Sequence, residues 1–453
     1  MNSSRTLRRT ISILSLFLAA QLAGPAAIGA NPPTKSPRAP APPTEPGPRL
    51  SKELKGELAV HPGQHLKLTT DLGNVRLHPG AAGTLAYRIV LEADANDKDA
   101  PELLKRYDIT AKSVADGVMM HGQILGKGCT GRLWVTLDIT LPQNFNVDVN
   151  TRGGNIEIPD MEGHITLATS GGNVTTGSIT GTARIQTDGG HIVTKDVSED
   201  LTAITGGGHI LVGDVKGEAN LHTSGGHIRV GSIAGVARVF TGGGNVSVGK
   251  AGSQLYADTA GGQIEVGEAF SLVKARTGGG GIRVVRAGGP AQLQSNGGSI
   301  YLTQINSAVR ASTDAGEITA WFGPDAKLPG GCNLESNHGD IIVYLPKMLP
   351  ITIDASVPSD HEHSLFVDPA FPLKVTYDEK STMRAAGALN GGGETLHLHT
   401  DQGSIRVMLS DATRQSQMYK QQMEQLKKKL VELRQMNLQM NLDMSTDLPA
   451  DNK

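Results

Sequence analysis

The alternation of apolar and polar residues predicts an almost entirely β-structured chain. Residues 65–80, 84–93 and 132–150 place an apolar side chain at every second position, which is typical of strands with one buried face. From residue 151 the same alternation continues in shorter segments that glycine-rich corners separate. The segment 100–109 departs from this pattern, and we expect either a short helix or a loop there.

A repeat of fixed length organises the middle of the chain. The segment TGGGHI at Thr205 is one of ten similar segments, each 18 residues after the last. They begin at Thr151, Thr169, Thr187, Thr205, Thr223, Thr241, Thr259, Thr277, Ser295 and Thr313. Ten copies without slippage predict a repeat architecture rather than ten separate sites. A strand-like run follows each glycine pair, whereas a dinucleotide loop would lead into a helix, so we interpret the glycines as structural corners.

Each 18-residue unit contains two short strands. In the unit that starts at Thr205, Ile210 and Val212 form one apolar pair, and Ala219 and Leu221 form the second. Neither strand is long enough to be stable alone, so the units must stack on one another. We therefore predict an all-β fold, a β-solenoid with 18-residue coils over 151–330, in which each strand pairs with its copy ~4.8 Å away.

Strand parity predicts which residues of a coil face inward. The threonine that begins each unit points inward with the second apolar pair, where its hydroxyl can be satisfied along the stack. The glycine pair follows at a corner where a positive φ and a close backbone approach exclude a Cβ. Polar or large residues lie between the apolar residues of the second pair, such as Asn220, Arg238, Tyr256 and Lys274.

A helix is predicted after the solenoid, over residues 411–443. Five residues with a spacing of four and three predict an amphipathic helix of two to three heptads: Tyr419, Met423, Leu426, Leu430 and Leu433. Two roles remain open at this point. The helix either packs against the rod as a cap or self-associates with the helix of a second chain.

The N-terminal sequence predicts that the protein is exported. Residues 1–30 combine an arginine-rich start, a short apolar run and small residues, which is the layout of a secretory signal peptide. Residues 31–50 are rich in proline and predict a stiff disordered linker, and we expect a disordered tail over 444–453. We expect the folded part, 51–410, to reach the periplasm, the cell surface or the medium, without a transmembrane span once the signal is removed.

The charge and the cysteine content bear on nucleic-acid binding and on disulfide formation. The chain has 453 residues, 57 of them glycine, and a formal charge of −2, so an extended basic surface for nucleic acid is not indicated. It has two cysteines, Cys129 just before the first coil and Cys332 just after the tenth. Because ten stacked coils separate them, we predict two separate thiols rather than a disulfide.

Three stretches resemble the bacterial putative adhesin family, a domain of unknown function. They are LDITLPQNFNVDVNTRGGNIEI (137–158), the T-x-G-G-x-[IV] repeats, and GGGETLHLHTDQGSIRV (391–407). The resemblance covers roughly residues 60–410. It implies a right-handed, single-stranded β-solenoid in the cell envelope, and the family defines no catalytic residues to carry over. The chain departs from shorter members in its very regular array and its helical tail.

The candidate binding residues form one column at the coil corner. One position of the unit holds asparagine or histidine in consecutive coils: Asn155, Asn173, His191, His209, His227 and Asn245, followed by Gln263. Three stacked imidazoles could hold a transition metal, but in-register rings point the same way, so a hydrogen-bonded structural ladder is the favoured interpretation. Paired histidines at 361–363 and 397–399 give a weaker metal signal.

The sequence predicts a non-enzymatic envelope protein that binds a polysaccharide, a protein or another envelope component, with no cofactor and no metal. The alternative is a carbohydrate-active β-helix enzyme, which would need two acids in one groove. Outward residues after the glycine corners are mixed, from Glu157 to Tyr301, and show no repeated acidic pair. Ice binding would need outward threonine columns, and parity turns this column inward.

Overall fold

The structure is a computed structural model that describes residues 48–126, 132–358, 364–377 and 382–445. The predicted signal peptide, most of the predicted linker, Cys129, the histidine pair at 361–363 and the last eight residues lie outside these ranges. Before the first repeat unit the elements are β1 (Arg49–Ala59), β2 (His65–Thr70), β3 (Asn74–Pro79), β4 (Thr84–Asp94), α1 (Ala100–Arg106), β5 (Tyr107–Val114), β6 (Gly117–Ile124) and β7 (Leu133–Leu141).

The repeat region contains strands of two to six residues. They are β8 (Asn146–Thr151), β9 (Ile156–Ile158), β10 (Met161–Glu162), β11 (Ile165–Thr169), β12 (Val174–Thr176), β13 (Ile179–Thr180), β14 (Ala183–Thr187), β15 (Ile192–Thr194), β16 (Leu201–Thr205), β17 (Ile210–Val215), β18 (Ala219–Thr223), β19 (Ile228–Ile233), β20 (Ala237–Thr241), β21 (Val246–Ala251), β22 (Leu255–Thr259), β23 (Ile264–Ala269), β24 (Val273–Thr277), β25 (Ile282–Ala287), β26 (Ala291–Ser295), β27 (Ile300–Ile305), β28 (Val309–Thr313) and β29 (Ile318–Phe322).

The remaining elements follow the tenth unit. They are β30 (Cys332–His338), β31 (Ile341–Leu345), β32 (Ile351–Pro358), β33 (Leu365–Val367), β34 (Val375–Tyr377), β35 (Thr382–Leu389), β36 (Thr395–Gln402), β37 (Ile405–Leu409) and α2 (Ala412–Ser445). Strand β1 includes the last two residues of the predicted linker, and α2 matches the predicted helix to within two residues at each end.

The coils stack as predicted, so the β-solenoid with a C-terminal helix is confirmed. Each strand pairs in parallel with its copy one unit later, as Thr205 with Thr223 and Ile210 with Ile228. Strands that end on the threonine column form one sheet, which we call sheet B. Strands that follow the glycine corner form the other, sheet A. Apolar side chains from both sheets fill the space between them, as the alternating burial of each strand shows.

The buried threonine column is satisfied by the backbone of the neighbouring coil. Thr223 is fully buried. Its hydroxyl donates to the carbonyl of Gly208 at 2.8 Å and accepts the N–H of Gly226 at 3.1 Å. The same pair of bonds recurs in the neighbouring units, so the hydroxyls bond along the stack through glycine carbonyls rather than to each other.

The glycine pair is needed for one of the two reasons predicted. A Cβ on Gly208 would lie 2.0 Å from the carbonyl oxygen of Gly190, whereas a Cβ on Gly207 would lie 3.7 Å from the nearest atom. Close backbone approach therefore explains the second glycine. A positive φ does not explain it generally, because among the second glycines of the described units it occurs only at Gly154, with a φ of 121°.

Further coils extend the stack beyond the ten units. Strands β2 and β3 form a coil that pairs in parallel with β8 and β9, and β30 and β31 continue the other end. Strands β36 and β37 then add one more coil after an insertion, as the sequence around 396–409 predicts. Strands β6 and β7 pair in parallel with β2 and β3, and β32 and β33 pair in parallel with β36 and β37, which adds one coil at each end. Fifteen coils at about 4.8 Å each give a rod of about 70 Å.

Antiparallel strands cover both ends of the rod. At the start, β4 pairs antiparallel with β1 and β7, and β5 pairs antiparallel with β6. At the other end, β32 and β34 each pair antiparallel with β35. Such additions cover the terminal coils, whose apolar interior would otherwise face water.

Helix α2 lies along the side of the rod, against sheet A, rather than over an end. Leu426 is 1% exposed, and the Gln415 amide donates to the carbonyl of Thr303 at 3.0 Å. Further along α2, Tyr419 donates to Glu268 at 2.6 Å and Lys429 donates to Glu265 at 2.8 Å. The packing alternative is therefore present within one chain, while self-association stays a prediction.

Cys332 is a free, buried cysteine at the start of β30. Its Sγ accepts the backbone N–H of Val309 at 3.3 Å, and burial raises the pKa of the thiol to about 11. A thiol with such a pKa is not a nucleophile at neutral pH, so we assign Cys332 to the core.

Candidate functional site

The predicted corner column forms a continuous hydrogen-bonded ladder. From Asn155 to Asn245 each side chain accepts the backbone N–H of the residue at the same position in the next coil. His191 accepts from His209 at 2.9 Å through Nδ1, and His209 accepts from His227 at 2.9 Å. The asparagines do the same through Oδ1, as between Asn173 and the N–H of His191 at 2.8 Å. The ladder continues to Asn245 and the N–H of Gln263.

The three imidazole rings stack at the predicted spacing. The centroids of His191 and His209 are 4.9 Å apart, as are those of His209 and His227, with interplanar angles of 19° and 9°. Burial lowers the pKa of His209 below its ordinary value, and the neighbouring His191, His227 and Arg229 lower it further. Burial is also the main cause of the lowered pKa of His227. Each Nδ1 accepts a backbone N–H, so in this arrangement it is the Nε2 atom of each ring that can carry a proton.

This geometry gives the ladder a structural role. The Nδ1 atoms of His191, His209 and His227 are all occupied by backbone N–H groups, so these nitrogens are not available to a ligand without breaking the stack. Within the described ranges no group of three or more His, Cys, Asp or Glu residues is arranged to hold a metal ion. Ligand binding by Asn155, Asn173, His191, His209, His227 and Asn245 stays a prediction.

Adjoining depressions form a groove on the outward face of sheet B. Three adjoining depressions of about 390, 230 and 660 Å³ follow one another along the rod. The first two share Lys274 and Arg276, and the last two share Arg310, Asn333 and Glu335. We call this the sheet B groove. It crosses nine coils, from β18 through β36 to β32, a length of about 38 Å.

The central part of the groove is cationic and aromatic. Five neighbouring strands of sheet B form its floor through their outward residues, namely β20, β22, β24, β26 and β28. These residues are Arg238, Phe240, Tyr256, Asp258, Lys274, Arg276, Gln292, Gln294, Arg310 and Ser312. Four cations and one carboxylate give this part a formal charge of +3, in a chain whose total is −2. Phe240 is 41% exposed and stacks on His222 with centroids 4.8 Å apart.

The far end of the groove holds carboxylates and histidines. Asp354 accepts from Arg384 at 2.9 Å and lies 3.4 Å from the His397 ring nitrogen. His399 hydrogen-bonds Ser356 through Nδ1 at 3.0 Å and Asp401 through Nε2 at 3.2 Å. This part therefore combines groups of both signs, and His397 and His399 of β36 lie in it.

The repeat pattern predicted the ladder but not the groove. The outward residues that follow the glycine corners belong to sheet A, and part of that sheet lies under α2. The signal for the groove was present in the large polar residues between the second apolar pair, among them Arg238, Tyr256 and Lys274. Sequence reasoning also missed Asn74, whose Oδ1 accepts the N–H of Asn155 at 2.9 Å and begins the ladder.

Comparison with known proteins gives structural neighbours only. No family model matches the chain, and no curated protein matches it. A crystal structure of a putative cell adhesion protein from Clostridium sporogenes ATCC 15579 is 8% identical, with a TM-score of 0.14, and covers 79% of this chain and 100% of its own. A putative adhesin from Bacteroides fragilis NCTC 9343 is 14% identical, with a TM-score of 0.23, and covers 59% of this chain and 96% of its own.

In the part of the chain that the structure describes, no helix combines the length and the apolar character that crossing a bilayer requires.

Proposed function

We propose that this protein is an exported, non-enzymatic β-solenoid that acts in the cell envelope as an adhesin-like binding or scaffold protein. The observation that carries the proposal is the sheet B groove, which crosses nine coils and is open to solvent. A long open groove with polar and aromatic side chains suits an extended partner better than a small molecule, which prefers an enclosed apolar pocket.

The ends of the chain support an envelope location. Residues 1–30 have the pattern of a signal peptide, and the proline-rich segment 31–50 would hold the rod away from its point of attachment. Burial of Leu426 against sheet A gives the C-terminal helix an intrachain role and leaves the groove on the other sheet accessible.

Co-sedimentation tests this proposal. The purified chain, with and without residues 411–453, is mixed with isolated peptidoglycan, membranes or cell-surface polysaccharide, and the bound fraction is measured. Saturable binding to one fraction is the expected result and identifies the ligand class. Binding that disappears with 411–453 would assign docking to the helix instead of the rod. No binding to any fraction would contradict the adhesin-like function.

A polysaccharide-cleaving β-helix enzyme is the second candidate, because carboxylates do lie in the groove. Glu335, Asp354 and Glu394 line its far end. Glycosidases need one carboxyl group held protonated and a second held ionised. Here Asp354 is bonded to Arg384, and Glu335 accepts from Asn333 at 2.7 Å, so both carboxylates already have partners. These contacts favour binding over catalysis.

Product analysis separates the two functions. The chain is incubated with each polysaccharide that it binds, and reducing ends are measured over time. We expect no release above that of the double variant Glu335→Gln/Asp354→Asn. Release that this variant abolishes, with binding retained, would establish the enzyme.

A further inference from the structure

We propose that the central part of the sheet B groove binds an anionic polysaccharide, a chain of sugars that carry carboxylate or sulfate groups. This inference rests on the proposed binding function and names its ligand class and its site. The central part of the groove has an excess of positive charge, a regular spacing of its cations, and amide and aromatic side chains between them.

The positive charge is concentrated in one part of the face. Between β20 and β28 the outward residues of sheet B include Arg238, Lys274, Arg276 and Arg310, against one carboxylate, Asp258. Arg238 also forms an ion pair with Glu218 at 3.5 Å, so the excess is centred on Lys274, Arg276 and Arg310. The four preceding strands of the same face, β11 to β18, have only Arg184 at the equivalent positions. Since the whole chain is slightly acidic, this local excess of cations would attract a polyanion to the groove.

The cations are arranged in a line rather than around one point. Arg238 lies in β20 and Arg310 in β28, which is four steps further along sheet B. At about 4.8 Å per step, the positive charge extends over about 19 Å of the rod. A single phosphate or carboxylate could contact only one end of such a row. An extended polymer with regularly repeated charges could contact the whole row.

The residues between the cations suit sugars rather than bare phosphates. Gln292 and Gln294 are exposed between Arg276 and Arg310, and their amides can both donate to and accept from hydroxyl groups. Phe240 is 41% exposed. Tyr256 lies in the next coil, opposite Arg238, and its hydroxyl donates to Gln254 at 2.8 Å. These two rings offer apolar surface to the C–H faces of a sugar.

Two arginines allow a matched test of this site. Arg310 and Arg184 are both exposed, and they occupy the same position of the coil on sheet B, seven coils apart. Arg310 lines the groove, whereas Arg184 lies outside it. Arg310→Glu and Arg184→Glu therefore make the same change of net charge on the same sheet. The double variant Arg276→Glu/Arg310→Glu gives the larger effect.

The experiment measures binding of the whole exported chain to immobilised alginate and dextran sulfate, with neutral dextran as the reference, at low and high salt. We expect binding to both anionic polymers and not to dextran. Arg310→Glu should weaken it several-fold and the double variant at least about tenfold, because each reversal places a like charge against the ligand. Arg184→Glu should change the affinity less than about twofold. High salt should weaken binding, since exposed charges are screened.

Three results would overturn the assignment: equal binding to neutral dextran, equal losses for Arg310→Glu and Arg184→Glu, or binding of single-stranded DNA as tight as that of alginate. Circular dichroism and thermal unfolding of each variant check that the rod is intact. If the double variant still co-sediments with an envelope fraction, the adhesin-like function stands and the groove is not its site. If no fraction binds the wild type, the function itself fails.

Discussion

The backbone N–H of His209 donates to Nδ1 of His191, its counterpart in the preceding coil, at 2.9 Å. The Nδ1 of His209 in turn accepts the N–H of His227 at 2.9 Å, so His209 is bonded to the coils on both sides of its own. Asparagine makes the same contact elsewhere in the column, as where Asn155 accepts the N–H of Asn173 at 2.8 Å. From Asn155 to Asn245 the column thus consists of side chains with an acceptor atom near the backbone, and histidine supplies that atom with its ring stacked on its neighbours.

Replacing one ladder histidine should show this requirement. His209→Ala removes the acceptor of the N–H of His227, and we expect it to lower the free energy of unfolding by about 1–3 kcal/mol. His209→Asn keeps an acceptor at the same place and should cost clearly less. Urea unfolding of both variants measures the difference. Equal losses would mean that ring stacking, rather than the hydrogen bond, stabilises the column.

The lowered pKa of His209 and of His227 predicts a pH dependence of stability. Their pKa values lie below the ordinary value of 6.5 in the folded state, so the unfolded state binds more protons in that range. Their contribution to stability is present above pH 6.5 and is lost as the pH falls through 6.5 toward the lower folded values. The melting temperature of the wild type should therefore drop more between pH 7.5 and 5.5 than that of His209→Asn/His227→Asn. Equal drops would contradict this assignment.

The threonine column offers a test of buried hydrogen bonds. Thr223→Val keeps the size of the side chain but leaves the carbonyl of Gly208 and the N–H of Gly226 without their buried partner. We expect a loss of about 2–3 kcal/mol, since each buried unsatisfied group costs about 1–3 kcal/mol. Thr223→Ser loses only a methyl group, at about 1 kcal/mol. Ser295 makes the same bond in its own coil, to Gly280 at 2.9 Å, which supports this expectation. If Thr223→Val were as stable as Thr223→Ser, the hydrogen bonds of this hydroxyl would not stabilise the stack.

The repeat was predictable because a solenoid imposes one rule on every coil. The constant 18-residue spacing determines the register of both sheets, and with it the inward threonines and the ladder. The place of Asn74 was not predictable in the same way, since 81 residues separate it from Asn155 and an insertion hides the repeat. The groove depends on which strand follows β30 in sheet B, and the 346–394 insertion conceals that this strand is β36.

The position of α2 could not be predicted for a different reason. An amphipathic pattern shows that one face of a helix is buried, but not which surface covers it. In the structure the covering surface is the part of sheet A where small residues allow close approach. A Cβ on Gly267 would lie 2.7 Å from Cδ2 of Leu426. The sequence contains this glycine, but only the fold brings it under the helix.

Adjacent glycines at one corner allow a sharply controlled mutation. Gly208→Ala would place its Cβ 2.0 Å from the Gly190 carbonyl oxygen, a backbone atom that cannot move without disturbing the stack. We expect a loss of about 3 kcal/mol or more, at the upper end of overpacked substitutions. Gly207→Ala should be tolerated, because its Cβ would have 3.7 Å of space. Thermal unfolding of the two variants compares them directly, and similar melting temperatures would contradict the close-approach explanation.

Leu426 holds helix α2 on the rod, and its removal should release the helix without unfolding the solenoid. Leu426 is 1% exposed, so Leu426→Ala removes buried contacts, at about 2 kcal/mol or more. An isolated helix of this kind is marginal in water, whereas the coils support each other through both sheets. We therefore expect faster amide hydrogen exchange within 412–429 and unchanged exchange in β16 to β28. Lys427→Ala, on the exposed side of the same helix turn, is the control and should leave the exchange unchanged. Faster exchange in the adjoining strands of sheet A would instead show that the helix is required for the rod.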